Sequence, residues 1–401
     1  MALYEQLAIL ALFVFLYTLV AGRVERSWIS GPMIFVAAGI IMGPALLGWF
    51  TGTEPRQALR FLADLTLALF LFNDSANANL RTLGRHYGIP ARMLLIGLPG
   101  AILLGFLGAF IMFDALTIFE AAALGTMLAA TDAALGKAVV TNPVVPSRLR
   151  EGLNVESGLN DGLCVPILLL FIGLEVGSEA HTGSFAAIHL LIEEIGIGMA
   201  VGMGLAALGA VLFRACWNRG WMTAVWGQMT TIALAIGCFS LAQSLGGSGY
   251  IAAFTGGMLF GYFAREDTHE VLHSSEGVAE TLAMLTWLLF GISVVWQVRD
   301  FVTWQVVAFA LLSLTVFRML PVWLSLAGTG ESNANKLFLG WFGPRGLASI
   351  VFAVLVLDAG LPGAELMALV VACTVFLSLV AHGMTANPFA RKISALNHGD
   401  D

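Results

Sequence analysis

Apolar residues gather along this chain into thirteen stretches, most close to the ~20 residues needed to span a bilayer core. They are 6–22, 29–49, 59–74, 92–113, 117–140, 150–176, 187–213, 222–242, 248–264, 276–298, 301–327, 335–358 and 362–384. Each reads as a membrane-spanning helix. The connections are short, and only 175–190 and 264–276 have room for an extra surface turn. Residues 1–385 therefore read as a single transmembrane unit, and 386–401 as a short cytoplasmic tail. The predicted fold is an all-α polytopic membrane protein.

The cations between the stretches orient the predicted spans. One set of alternate loops holds Arg23, Arg26, Arg81, Arg85, Arg92, Arg148, Arg150, Arg214, Arg219, Arg265, Lys336, Arg391 and Lys392. The other set holds only Arg56, Arg60 and Arg299. The bias predicts an N-terminus outside and a C-terminus in the cytoplasm, in a cell (inner or plasma) membrane. Lys137, Arg318 and Arg345 remain, inside or near the ends of apolar spans. A cation at that depth is costly and should face the protein interior beside a partner. Lys137 lies close to a cytoplasmic end, where snorkelling also suffices.

Composition agrees with this reading. Of 401 residues, 58% are apolar and 11% charged, against roughly 25% charged in an ordinary soluble domain. The net charge of −7 excludes a basic nucleic-acid binder. Cys164, Cys216, Cys238 and Cys373 stand singly in apolar stretches, so neither a disulfide framework nor a zinc site is expected. The first stretch follows Met-Ala-Leu-Tyr-Glu-Gln, without the positive region of a cleavable signal.

The candidate chemistry lies in the polar positions of the spans. Thr131 and Asp132 sit about 14 residues into the fifth span, roughly 21 Å at the helical rise. Asp161 lies about 11 residues into the sixth, roughly 16 Å deep. Both acids are thus near the bilayer midplane, where an ionisable group marks a functional site by default. Glu156 and Asn160 are four apart, as are Ser157 and Asp161, so two adjacent helical stripes present oxygen atoms. A hard monovalent cation takes oxygen ligands. Ser157 and Asp161 offer two; Thr131 offers its hydroxyl, or its carbonyl if the fifth helix is broken there. Gly125 and Gly136 favour such a break. In the twelfth span Gly343-Pro344-Arg345-Gly346 cannot continue an undistorted helix. Spans five and twelve are seven apart, so spans 1–6 and 8–13 form candidate inverted repeats with interruptions at matching places, a pointer to a transporter site. Glu156 is a candidate for structural pairing with a buried arginine, and Asn160 for bridging helices. Glu175, Glu179, Glu193, Glu194, His181 and His189 read as a solvated rim, as do His269 and His273. The many glycines read as marks of close helix packing.

Four stretches, ATDAALGKAVV, NVESGLNDG, TVFRMLPVWLSL and GPRGLASIVFAVLVL, resemble the monovalent cation:proton antiporter-1 family, the NhaP-type sodium/proton exchangers. The resemblance spans nearly the whole chain. It implies thirteen helices in a homodimer, with a dimer domain and a six-helix core that includes 92–176 and 301–384, in which helices 5 and 12 cross unwound. On that pattern Asp161 resembles the carboxylate shared by cation and proton. Ser157 and the Thr131 carbonyl resemble its co-ligands for Na+, and Asp132 the helix 5 acid at the crossing. Glu156 and Arg318 resemble a structural ion pair, and Arg345 the arginine of the helix 12 crossing. Two departures stand out: Ala133 replaces a common proline, and Asn73, followed by Asp74, stands where many members carry a helix 3 acid. The resemblance therefore leaves a helix 3 ligand unassigned.

The expected activity is antiport of Na+, or of K+ or Li+, against H+ across the bilayer, without cofactor. A proton and a cation would compete for Asp161, and two alternately exposed shapes would complete the cycle. The single acid of Asn160-Asp161 resembles the electroneutral members. A cation-coupled symporter of a small organic solute is the rival reading, and would need a roomier pocket with an aromatic or basic group. An intramembrane hydrolase built on Asp132 and Asp161 lacks a nucleophile–base arrangement, so no enzyme is expected. A multi-ion channel suits one buried carboxylate less well than an occluding carrier does.

Overall fold

The computed structural model describes every residue except 1–2, 25–26, 28, 45, 51–53, 78–87, 133–134, 136, 141, 180–183, 264–267, 296–301 and 398–401. Arg26, Arg81, Arg85, Ala133, Gly136, His181, Arg265 and Arg299 thus lie outside the described residues, as do the side chains of Arg56, Lys137, Glu179, His269 and His273.

Among the described residues every regular element is a helix, and helices occupy all thirteen predicted spans. We number them α1 (Leu3–Val24), α2 (Gly31–Met42), α3 (Glu54–Asn77) and α4 (Gly88–Met112). Next come the halves α5a (Ile118–Met127) and α5b (Lys137–Val140), then α6 (Ser147–Glu179), α7 (Ser184–Asn218), α8 (Ala224–Ser244) and α9 (Gly249–Phe263). The last are α10 (Thr268–Phe290), α11 (Trp304–Ser325), the halves α12a (Asn333–Trp341) and α12b (Leu347–Ala359), and α13 (Ala364–Asn397). Among the described residues, seven helices are long and apolar enough, by length and composition, to cross a membrane. Large apolar side chains such as Tyr4, Leu95, Ile111 and Trp304 stand on the outside. A soluble domain would cover that surface with charge; in lipid it is the expected exterior.

Several boundaries move. The spacing predicts one continuous eleventh span, but Thr315 interrupts α11. Its hydroxyl donates back to Leu311 O at 2.6 Å, a local competitor of the helical bonds. α6 runs to Glu179, and α13 runs through Pro388 to Asn397, so much of the tail continues a helix. Ala386, Ala390 and Ile393 are buried there. Glu175 is buried rather than part of a wet rim, and accepts a bond from Thr117 Oγ1 at 2.6 Å. Thr117, the cap residue of α5a, supplies a donor there, and a bonded carboxylate can be buried where a bare one is costly. All four cysteines are free; Cys164 and Cys238 are buried, Cys216 and Cys373 half-buried.

Packing sorts the helices into two groups. α2, α3, α7, α8, α9 and α10 pack on one another, and so do α4, α5a, α6, α11, α12a, α12b and α13. α6 meets α3, α7 and α9, and α12b meets α3, so the seam between the groups runs along α6 and α12b. Glycine permits the tightest contacts: a Cβ on Gly257 of α9 would overlap the Phe72 carbonyl of α3. Close backbone approach of this kind replaces the hydrophobic drive that is missing between helices in lipid.

Candidate functional site

The site starts from two broken helices. α5a opens with Thr117, whose hydroxyl accepts Glu120 N–H at 3.2 Å while the Glu120 carboxylate accepts Thr117 N–H at 3.0 Å. It stops at Met127; Leu128 N–H and Ala129 N–H close its last turn on Leu124 O and Thr126 O, and residues 130–132 run on outside the helix. α12a stops at Trp341, ahead of Pro344, which has no N–H to offer. Unwound backbone at membrane depth needs partners for its polar groups, and here the two breaks supply one another. Asp132 N–H donates to Pro344 O at 2.8 Å, and Leu347 N–H donates to Asp132 Oδ2 at 3.0 Å. Arg345 Nη1 donates to Ala129 O, Ala130 O and Gly343 O at 3.2–3.3 Å. Ser349 Oγ donates to Met127 O at 2.8 Å. The acid thus caps the positive N-terminal end of α12b, and the fully buried arginine faces the negative C-terminal end of α5a. Gly346 is required by this approach, since a Cβ there would overlap the Asp132 carboxylate.

α6 lies against the crossing. Ser157 Oγ donates to Thr131 O at 2.6 Å, and Asn160 Nδ2 donates to Thr131 Oγ1 at 2.5 Å. One turn from Ser157, Asp161 has a buried Oδ1 with no hydrogen-bond partner among the described residues. A buried carboxylate oxygen left open is unusual, because an unsatisfied charged group is costly. The acids whose charges act on it are Asp132, Asp74 and Glu156. Asp161, Ser157 and Thr131 therefore sit together, with the Thr131 carbonyl already turned toward α6 by the break.

Glu156 and Arg318 form a buried two-pronged pair, Nη1 to Oε1 at 2.6 Å and Nη2 to Oε2 at 2.9 Å. Asn160 Nδ2 also lies 3.2 Å from Glu156 Oε1, so the pair reaches the site. The helix 3 question has a geometric answer. Asn73 faces α10, accepting from the Ser275 hydroxyl. Asp74 faces α6, its Cβ and carboxyl over Gly158, where any added Cβ would crowd it.

Spacing passes over Ser349, Ser378 and His382. Ser378 Oγ accepts Arg345 N–H at 2.7 Å, and His382 Nε2 lies 2.8 Å from Trp341 O. A lone histidine within the apolar thirteenth span was the available signal; isolated serines in apolar helices give none.

The transmembrane sodium/hydrogen exchanger family matches residues 9–392 of the chain. A curated relative, the K+/H+ antiporter NhaP of Alkalimonas amylolytica, is 26% identical over 395 residues, covering 94% of this chain and 65% of the relative. A probable Na+/H+ antiporter of Schizosaccharomyces pombe is 24% identical over 349 residues, 81% of this chain and 45% of that one. The chain thus spans less than two thirds of the length of these relatives. Among solved structures, the sodium proton antiporter MjNhaP1 of Methanocaldococcus jannaschii at pH 8 matches with a TM-score of 0.76 and 20% identity, over 98% of this chain and 100% of that one. That likeness shows a shared fold.

Proposed function

The chain belongs to the transmembrane sodium/hydrogen exchanger family, and from that premise we propose that it exchanges a monovalent alkali cation for protons across a cell membrane. The observation that carries the reading is the open, buried Oδ1 of Asp161 beside the Ser157–Thr131 contact. Burial makes a bare carboxylate costly. A proton or a cation neutralises it, and each excludes the other. The Ser157 hydroxyl and Thr131 carbonyl supply further oxygen ligands for Na+ or a larger alkali ion, and Asp74, packed over Gly158 of α6, is the helix 3 acid assigned to the site. Asn160 adds no charge. One carboxylate that holds either guest exchanges them one for one and carries the same net charge both ways. Electroneutral antiport follows.

Alternating access then needs the two helix groups to shift along the α6 and α12b seam, and the packing supports such a division. The Arg- and Lys-rich loops are assigned to the cytoplasm, which puts the N-terminus outside. We extend the reading to a homodimer, tested by the mass of the detergent-solubilised protein.

The test is reconstitution with an internal pH dye, followed by pulses of Na+, K+ and Li+. Wild type should move protons against at least one of these ions, and Asp161→Asn should move none while melting as wild type does. Wild-type rates in Asp161→Asn would remove the assignment. A transmembrane current that scales with exchange would remove electroneutrality.

A further inference from the structure

Four positions of α13, Ser378, His382, Thr385 and Phe389, follow the i, i+4, i+7, i+11 spacing of one helix face. All four touch α12a or the break that follows it. Arg345 N–H donates to Ser378 Oγ at 2.7 Å, and Trp341 Nε1 donates to Thr385 Oγ1 at 2.9 Å. Phe389 packs edge-on to Phe342 at 6.2 Å. His382 is buried and stacked on the Trp341 ring, with centroids 5.0 Å apart and planes 28° from parallel.

His382 Nε2 lies 2.8 Å from Trp341 O, and a carbonyl only accepts, so Nε2 carries a proton. Nδ1 has two neighbours, Ser378 Oγ at 3.2 Å, which can donate to it while accepting from Arg345 N–H, and Ser378 O at 2.9 Å, which cannot. Burial of the ring near two guanidinium groups disfavours a second proton, so Nδ1 is assigned as the acceptor from Ser378 Oγ. A neutral ring so assigned closes an unbroken chain, from Arg345 N–H to Ser378 to His382 to Trp341 O. That chain ties the last residue of α12a to the residue whose guanidinium caps α5a. The other contact of Nδ1, to Ser378 O at 2.9 Å, would be a bond only for a doubly protonated ring. The charged groups that act on the ring are Arg345 and Arg318, from the break and from α11.

We propose that His382 is a positioning residue for the helix 12 break. It holds both ends of the extended segment, and through Arg345 it fixes where the carbonyls of Ala129 and Ala130, the two residues leading into Thr131, point. It touches neither ion nor proton in transit. The proposal deepens the antiport reading and rests on it for its kinetic readout. A second readout, deuterium uptake by the backbone of 342–347, is independent of transport.

The experiment compares wild type, His382→Ala, His382→Gln, Ser378→Ala and the Ala/Ala double variant in proteoliposomes. His382→Ala should raise the cation KM about tenfold, the worth of roughly one lost hydrogen bond, with Vmax held within about twofold. Deuterium uptake should speed up in 342–347. His382→Gln keeps an N–H for Trp341 O and should restore KM with an unmoved pH profile. The double variant should be no worse than the more damaging single one, because both cut the same chain. Wild-type KM and uptake in His382→Ala overturn the proposal. So does a displaced pH profile in His382→Gln, which would mean that the ring acts by its charge, and so do additive effects in the double variant. If His382→Ala does not fold, His382→Gln and Ser378→Ala decide by the same KM and uptake criteria. Absence of exchange in wild type would sink the antiport reading, while the uptake data would still judge the clamp.

Discussion

Changing Glu156 to Gln removes one charge from an ion pair that has no access to water. Arg318 is 1% exposed and Glu156 is fully buried, and two short bonds join them. The guanidinium would remain where it is, facing an amide whose NH2 group has no acceptor to meet. Breaking a buried pair from one side costs about 3–5 kcal/mol, because the remaining charge is left desolvated. At about 2 °C per kcal/mol, suited to a larger chain, the apparent melting temperature should fall by roughly 6 °C or more. The assay is thermal unfolding in detergent at one fixed scan rate, since membrane proteins seldom unfold reversibly. A Glu156→Leu/Arg318→Met double variant should recover most of the loss, as the orphan charge goes with its partner. A single variant that melts like wild type would refute the reasoning, and so would a double variant worse than either single one.

Other perturbations separate the parts of the site. Gly346→Ala forces the Asp132 carboxylate away from Leu347 N–H; it should cost about 1–3 kcal/mol in melting and abolish cation-dependent proton flux. Asp74→Asn should raise the cation KM, whereas Asn73→Ala, which loses the contact with Ser275, should lower stability and leave KM unchanged. Equal KM effects in the two variants would show that the orientation of α3 is misread. Arg60→Ala cuts an ion pair to Asp358 whose side chains are 55% and 37% exposed; such a pair is worth about 0–1 kcal/mol, so melting should move little.

The sequence by itself determined the parts that follow from local composition. Length and apolarity located thirteen helices, because a segment in lipid must satisfy its own backbone. Gly-Pro-Arg-Gly announced the break in α12, because Pro344 removes a donor wherever it stands. Counting residues along a helix of fixed rise gave the expected depth of Asp161 within α6, whereas the same count for Asp132 runs past Met127, where α5a ends. Tertiary structure decided whatever depends on direction and on distant partners. Asn73 and Asp74 are adjacent, yet about 100° apart around a helix, so only packing determined that one meets Ser275 and the other Gly158. The groups that complete the two breaks come from far along the chain: Asp132 for α12b, Arg345 and Ser349 for α5a, and Ser378 and His382 for the turn between the halves of α12. A freed carbonyl accepts any donor within reach, so its partner is chosen by three-dimensional proximity, which local pattern does not encode.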